Sequence, residues 1–255
     1  ATLARQPRRL LVTDPTQSVA VNVGANTNEP GFRGPIDADG RFEYVPIPES
    51  EPTRPDADVP TYGELDLRVD VSRVADTPVH LDPTFAGVHG STAYTYGDPH
   101  GVKARPLSTL EAGDHVFFYA TLSTATDAPP AWIAPRWGAY LIGHFRLATD
   151  PVTVETSRDF TPTERERFAD NAHLKRDSFD AEVLLYGDPE ASVLYDVAVP
   201  LSSREAGGDA NRLVTELSSD SGRGPWWRRP MRFDRRGTET LLELRRSGDR
   251  DHPFG

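Results

Sequence analysis

The chain has 255 residues, 37% apolar and 26% charged, enough for a folded protein with a sizeable buried core. It has no cysteine, which excludes disulfides, thiolate nucleophiles and thiolate metal sites, so any metal would need histidine and carboxylate ligands. A net charge of -11 argues against a nucleic-acid partner unless basic groups are concentrated locally.

Residues 1–16 read as a ragged N-terminal arm and residues 17–255 as one domain, with a core over 17–150 and a helical, Trp/Arg-rich part over 151–255. Alternating Val19, Val21 and Val23 predict a strand, and Phe42 to Ile47 predict a second. The turn-rich loop between them carries Asn22, Asn26, Asn28 and Arg33, which are hydrogen-bonding groups for a polar, planar ligand. Residues 50–60 form a Pro- and Asp-rich surface insertion. Within His80-Leu81-Asp82-Pro83, His80 and Asp82 would point to one side of a strand, close enough to share a proton, hold a metal or bond a base edge. A plainer reading has Asp82 capping the next turn beside a packed His80. His89 and His100 follow on loops. Loop histidines without a third fixed carboxylate are usually structural, so neither a metal nor another cofactor is expected.

After Gly113-Asp114, residues 116–122 are apolar on both faces and predict a central strand. Beyond a proline-rich loop over 124–137, Ala139 to Leu147 predict an antiparallel neighbour, with Ala139, Leu141, Gly143 and Phe145 on one face. Thr161-Pro162-Thr163-Glu164 is a capping box that should open a helix reaching about His173, with Asn171 and His173 near its end. Residues 181–186 predict a strand, 192–199 fit strand or helix, and short helices are expected near 211–217 and 238–245.

Only Lys103 and Lys175 are lysines among 28 basic residues, and this balance resembles that of salt-adapted archaeal proteins, whose acidity says little about partners. The stretch from Arg223 to Arg236 sets six arginines against one aspartate and includes Trp226 and Trp227. Guanidinium groups pair with phosphates and indole faces stack on bases, so Trp226, Trp227, Arg228 and Arg229 are candidate nucleotide contacts, with Tyr119 on the central strand. The alternative is that both tryptophans close the core. No common phosphate loop, nucleophile elbow or metalloprotease motif is present. No apolar run is long enough for a membrane span, and the stretch after Arg8-Arg9 is too short for a secretory signal, so a cytoplasmic protein with no membrane partner is expected.

The order of Pro35-Ile36, Asp39-Gly40, Pro46-Ile47-Pro48, His80 to Pro83 and Gly113 to Phe118 resembles the third family of nucleotide modification associated domains. That resemblance implies a nucleic-acid context, with DNA versus RNA and reader versus catalyst left open. The loop over Asn22 to Asn26 departs from the family's Ser-rich opening, and Tyr119-Ala120-Thr121 replaces a Gly-Trp-Phe stretch, which puts ligand identity in doubt at those positions. The central strands are also similar to small barrels of the PUA, EVE and YTH group. The expectation is therefore an α+β fold with a twisted mixed sheet forming a small PUA-like barrel, flanked by several helices. Its pocket would lie between Asn22 to Gly34 and the His80-Asp82 pair and bind a modified nucleotide or base. One alternative is an enzyme on such a base, with Asp82 as general base and His80 or His173 as acid. Another is a module that binds a protein partner.

Overall fold

A computed structural model describes residues 17–153 and 159–254, so the expected N-terminal arm lies outside the described residues. The fold is mixed α+β. Its main sheet is built on two ten-residue strands, β6 (His115–Thr124) and β7 (Trp137–Arg146), paired antiparallel. Using labels in chain order, β1 (Ser18–Asn22) runs parallel to β6, and β10 (Met231–Phe233) covers the outer edge of β1. On the other side β9 (Val193–Pro200) pairs with β7, which resolves residues 192–199 as a strand. The two-residue β2 (Pro35–Ile36) adds to the far end of β6. The path therefore ends at β10 and β9, and among the described residues it does not close into the expected barrel.

Both faces of the sheet are buried, as the apolar run over 116–122 requires. One face carries Val19, Val21, Val116, Phe118 and Leu122, and the other Ala20, Phe117, Tyr119 and Leu141. The expected face assignment on β7 holds only at its start. A register shift where Phe118 and Tyr119 meet Gly143 and Leu141 inserts Ile142 as an extra residue, which inverts the alternation beyond it. Phe145 thus joins Tyr140 and Ile142 on the first face instead of Ala139 and Leu141 on the second.

Against the first face lie α1 (Gly101–Leu107) and a ribbon of β5 (Thr95–Asp98) paired with β8 (Val183–Tyr186). The second face is closed by α4 (Arg212–Thr215), α5 (Arg235–Ser247) and Trp226. Helix α5 begins at Asp234, whose carboxylate accepts from the Gly237 N–H, and ends at Gly248 in the left-handed region that glycine tolerates. A smaller core of Val45, Tyr62, Val79 and Leu81 surrounds the short ribbon of β3 (Ile47–Pro48) and β4 (Val79–His80).

Two expectations near the sheet's flank need correction. The Thr161 capping box forms, but its helix, α2 (Pro162–Arg167), stops before Phe168. Asn171 then caps a separate turn, α3 (Ala172–Lys175). The stretch over 42–47 is largely irregular: Phe42 makes an isolated antiparallel bridge to Ile36, and Ile47–Pro48 pair with β4. The 50–60 segment folds back on the end of α3: Arg54 N–H donates to the Lys175 carbonyl, and Asp177 N–H to that of Pro52.

Candidate functional site

The short elements β4, β5 and α3 meet at a buried polar cluster. His80 ends β4 opposite Ile47, which places it beside Glu49 just beyond β3. Its Nδ1 lies 2.7 Å from Glu49 Oε2, so the ring N–H donates to the carboxylate. Two residues on, Asp82 turns inward, and its Oδ1 accepts from the Gly97 N–H at 2.8 Å and from Asn171 Nδ2 at 2.7 Å. Asn171 is oriented from both ends, since its Oδ1 accepts from the His173 N–H that opens α3 and its Nδ2 also reaches Thr95 Oγ1 at 3.0 Å. The plainer reading of Asp82 as a cap of its own turn gives way to this cross-chain role.

His173 completes the cluster. Its Nδ1 donates to Asp180 Oδ1 at 2.7 Å, and its Nε2 faces Asp82 Oδ2 at 3.6 Å, beyond hydrogen-bond length. The His80 and His173 rings meet edge to face, with centroids 4.9 Å apart. A glycine makes this possible: a Cβ at Gly97 would come within 2.6 Å of His173 Cδ2. Arg176, one turn further on, bridges the two supporting carboxylates, with Nη2 2.7 Å from Glu49 Oε1 and Nη1 on Asp180 Oδ2. The result is a continuous arc from His80 through Glu49, Arg176 and Asp180 to His173.

Charge placement follows from these contacts. Burial alone would raise the Glu49 carboxyl, yet hydrogen bonds from His80 and Arg176 bring it down to about 2. Burial would lower His173, but the Asp180 and Asp82 carboxylates raise it to about 9. Asp180 is lowered, its burial outweighed by His173 and Arg176. His80, Asp82 and His173 are 5%, 8% and 1% exposed, while the Asp180 side chain at the outer end of the arc is 34% exposed. Beside it, sharing Arg176, is a cleft lined by Arg54, Phe160, Arg165 and Phe179.

The sequence had pointed to His80, Asp82, Asn171 and His173, and the structure brings all four together. Glu49, Arg176 and Asp180 were missed. The local signal for them is Glu49 directly after Pro46-Ile47-Pro48, and Arg176 and Asp180 three and seven residues after His173. His89 and His100 stand apart: His89 Nε2 bonds the Tyr44 carbonyl, and His100 precedes α1.

The expected nucleotide contacts are distributed differently. Trp226 is fully buried with its indole N–H on the Gly208 carbonyl, and Tyr119 is buried with its hydroxyl on the Arg229 carbonyl, so neither offers a face for stacking. Arg229 is engaged by Asp220 through two hydrogen bonds, while Arg228 is exposed. Asn26 closes its own loop by accepting from the Asn28 and Glu29 N–H groups, and Asn22 Nδ2 lies 3.4 Å from the Tyr119 carbonyl. Arg33, however, lies 4.5 Å over the Trp137 ring, and Trp137 packs edge to face on Trp227. Arg33 and Trp227 therefore share one half-buried surface, and among the described residues no hydrogen bond or ring contact joins it to His80, Asp82 or His173.

The family model for nucleotide modification associated domain 3 matches residues 17–243. The chain belongs to that family. No curated protein and no solved structure matches it. The matched region contains every member of the polar cluster from Glu49 to Asp180, and membership gives the chain a role related to modified nucleotides. No helix among the described residues is long and apolar enough to cross a membrane.

Proposed function

We propose that this chain is an enzyme acting on the base of a modified nucleotide, with His80, Asp82 and His173 as its reacting centre. One observation carries the reading: a ring nitrogen of each histidine and a carboxylate oxygen of Asp82 lie within 4.8 Å of one another, each side chain held by other groups. Burying ionisable groups costs stability, so two imidazoles and a carboxylate braced from outside to face one another in such a cluster point to chemistry. A base-modifying site needs a carboxylate or imidazole within reach of the reacting group. The neighbouring cleft, with its phenyl rings and guanidinium groups, has the lining that a base and a phosphate require.

The test is nucleoside mass spectrometry of DNA and RNA from cells expressing the wild type or Asp82→Asn. Asparagine keeps an Oδ1 for Gly97 and Asn171 but loses the carboxylate. At least one nucleoside should change in abundance between the two, and identical spectra from folded proteins would overturn the enzyme reading.

A binding reading has its own support in the joint surface of Arg33, Trp137 and Trp227, which unites the Asn22 to Gly34 loop with the Trp/Arg-rich segment. In this reading the protein holds a nucleic-acid strand there, and the surface equally serves an enzyme that must retain its substrate.

A further inference from the structure

We infer that His80 Nε2, His173 Nε2 and Asp82 Oδ2 form a binding site for one divalent first-row transition-metal ion. The inference deepens the reading above by naming the agent at the reacting centre.

The donor set comes first. With His80 Nδ1 and His173 Nδ1 each on a carboxylate, Nε2 is the remaining ring nitrogen of both imidazoles, and an ion bound there takes the place of the proton that the Asp180 and Asp82 carboxylates favour on His173. Neither His80 Nε2 nor Asp82 Oδ2 makes a hydrogen bond within the described residues, and His173 Nε2 meets Asp82 Oδ2 at 3.6 Å. Bonds of roughly 2.1 Å from one ion place neighbouring ligand atoms about 3.0–3.4 Å apart, so that gap closes with a small adjustment. Two imidazoles and a carboxylate suit a first-row transition ion, whereas magnesium and calcium prefer all-oxygen sets. Three protein ligands leave coordination positions for water or substrate.

The support is the second and independent observation. Histidines that bind metals characteristically pass their other ring N–H to a carboxylate, and His80–Glu49 and His173–Asp180 both do so at 2.7 Å. Asp82, the third ligand, is fixed through its other oxygen by Gly97 and Asn171. Charge gives a third argument. Glu49, Asp82 and Asp180 share the cluster with a single guanidinium, Arg176, which pairs with Glu49 and Asp180, so two negative charges remain once both imidazoles are neutral ligands. A dication balances them. The sequence had not indicated a metal because it offered only His89 and His100 as companions; the third ligand was His173, over ninety positions from His80.

The test is titration of the metal-stripped full chain with Co²⁺ and Zn²⁺, followed by calorimetry and, for Co²⁺, visible absorption. The expected result is one equivalent per chain with a ligand-field band. His80→Gln, Asp82→Asn and His173→Gln should each weaken binding at least 100-fold, and Glu49→Gln or Asp180→Asn 10- to 100-fold. His89→Gln should leave it unchanged. Because a ligand variant could unfold, the wild type alone is also decisive: no stoichiometric binding by the folded protein overturns the proposal, as does binding insensitive to all three ligand substitutions. Metal binding with unchanged nucleosides would sink the enzyme reading and leave the site standing. Altered nucleosides without metal binding would do the reverse.

Discussion

At the residue scale, the cluster depends on one position that can bear no side chain. Gly97 donates its N–H to Asp82, and its α-carbon lies under the His173 ring; an added methyl would sit 2.6 Å from His173 Cδ2 and 2.9 Å from Leu184 Cδ2. Gly97→Ala should therefore push His173 away from Asp82 at a cost of about 1–3 kcal/mol. We expect the variant to fold and to lose at least tenfold in Co²⁺ affinity, measured by the same titration. Unchanged affinity in a folded Gly97→Ala would show that His173 need not lie where it does. His80 and Asp82 were legible in the sequence because two polar residues at i and i+2 flank a single apolar one, and Asn171 and His173 because they stood at a predicted helix end. Glu49 and Arg176 were not: each alone reads as a solvated surface charge, and the hydrogen bond that buries them spans 127 positions.

At the element scale, the long strands were legible and the short ones were not, for a physical reason. Ten-residue β6 and β7 display many repeats of the two-residue period, whereas β2, β3 and β4 have two residues each and owe their conformation to tertiary contacts. The break between α2 and α3 was equally hidden: Asp170 turns its carboxylate to Thr92 and Asn171 caps the next turn, roles that Asp and Asn prefer to helix interiors. The β6–β7 pair also makes a pH prediction. It buries His144 against Phe117, His115, Tyr195 and nearby Arg245, and burial, then the His115 and Arg245 charges, pushes His144 down to about 3. The folded state keeps this ring neutral while the unfolded chain protonates it near 6.5. Since the unfolded state binds the extra proton, stability should fall as pH drops from about 6.5 toward 3, by about 1.4 kcal/mol per pH unit from this residue. Urea unfolding at pH 7, 6 and 5 should show a shallower loss for His144→Gln than for the wild type. Equal slopes would mean that His144 is protonated in the folded protein.

At the scale of the whole molecule, the question is how a chain of charge -11 would hold a polyanion. The segment from Arg223 to Arg236 supplies local positive charge, and its arginines divide into two groups. Arg229 is neutralised by Asp220, whereas Arg223, Arg228, Arg232, Arg235 and Arg236 are exposed. The tryptophans divide likewise, since Trp226 fills the second core and Trp227 continues the half-buried surface of Arg33 and Trp137. Stacking is worth roughly 1–3 kcal/mol per base, so Trp227→Ala with Arg33→Ala should weaken single-stranded oligonucleotide binding tenfold or more and leave Co²⁺ binding intact. Arg228→Ala, removing one exposed charge, should weaken binding less and flatten its salt dependence. Trp226→Ala should instead destabilise the fold by about 3–5 kcal/mol, because it empties a fully buried site between the sheet and α5. Fluorescence anisotropy over a salt series, with thermal unfolding of each variant, separates these outcomes. Wild-type affinity in the Arg33/Trp227 double variant would remove this surface as the nucleic-acid contact and leave the exposed arginines as the remaining basic patch of the segment.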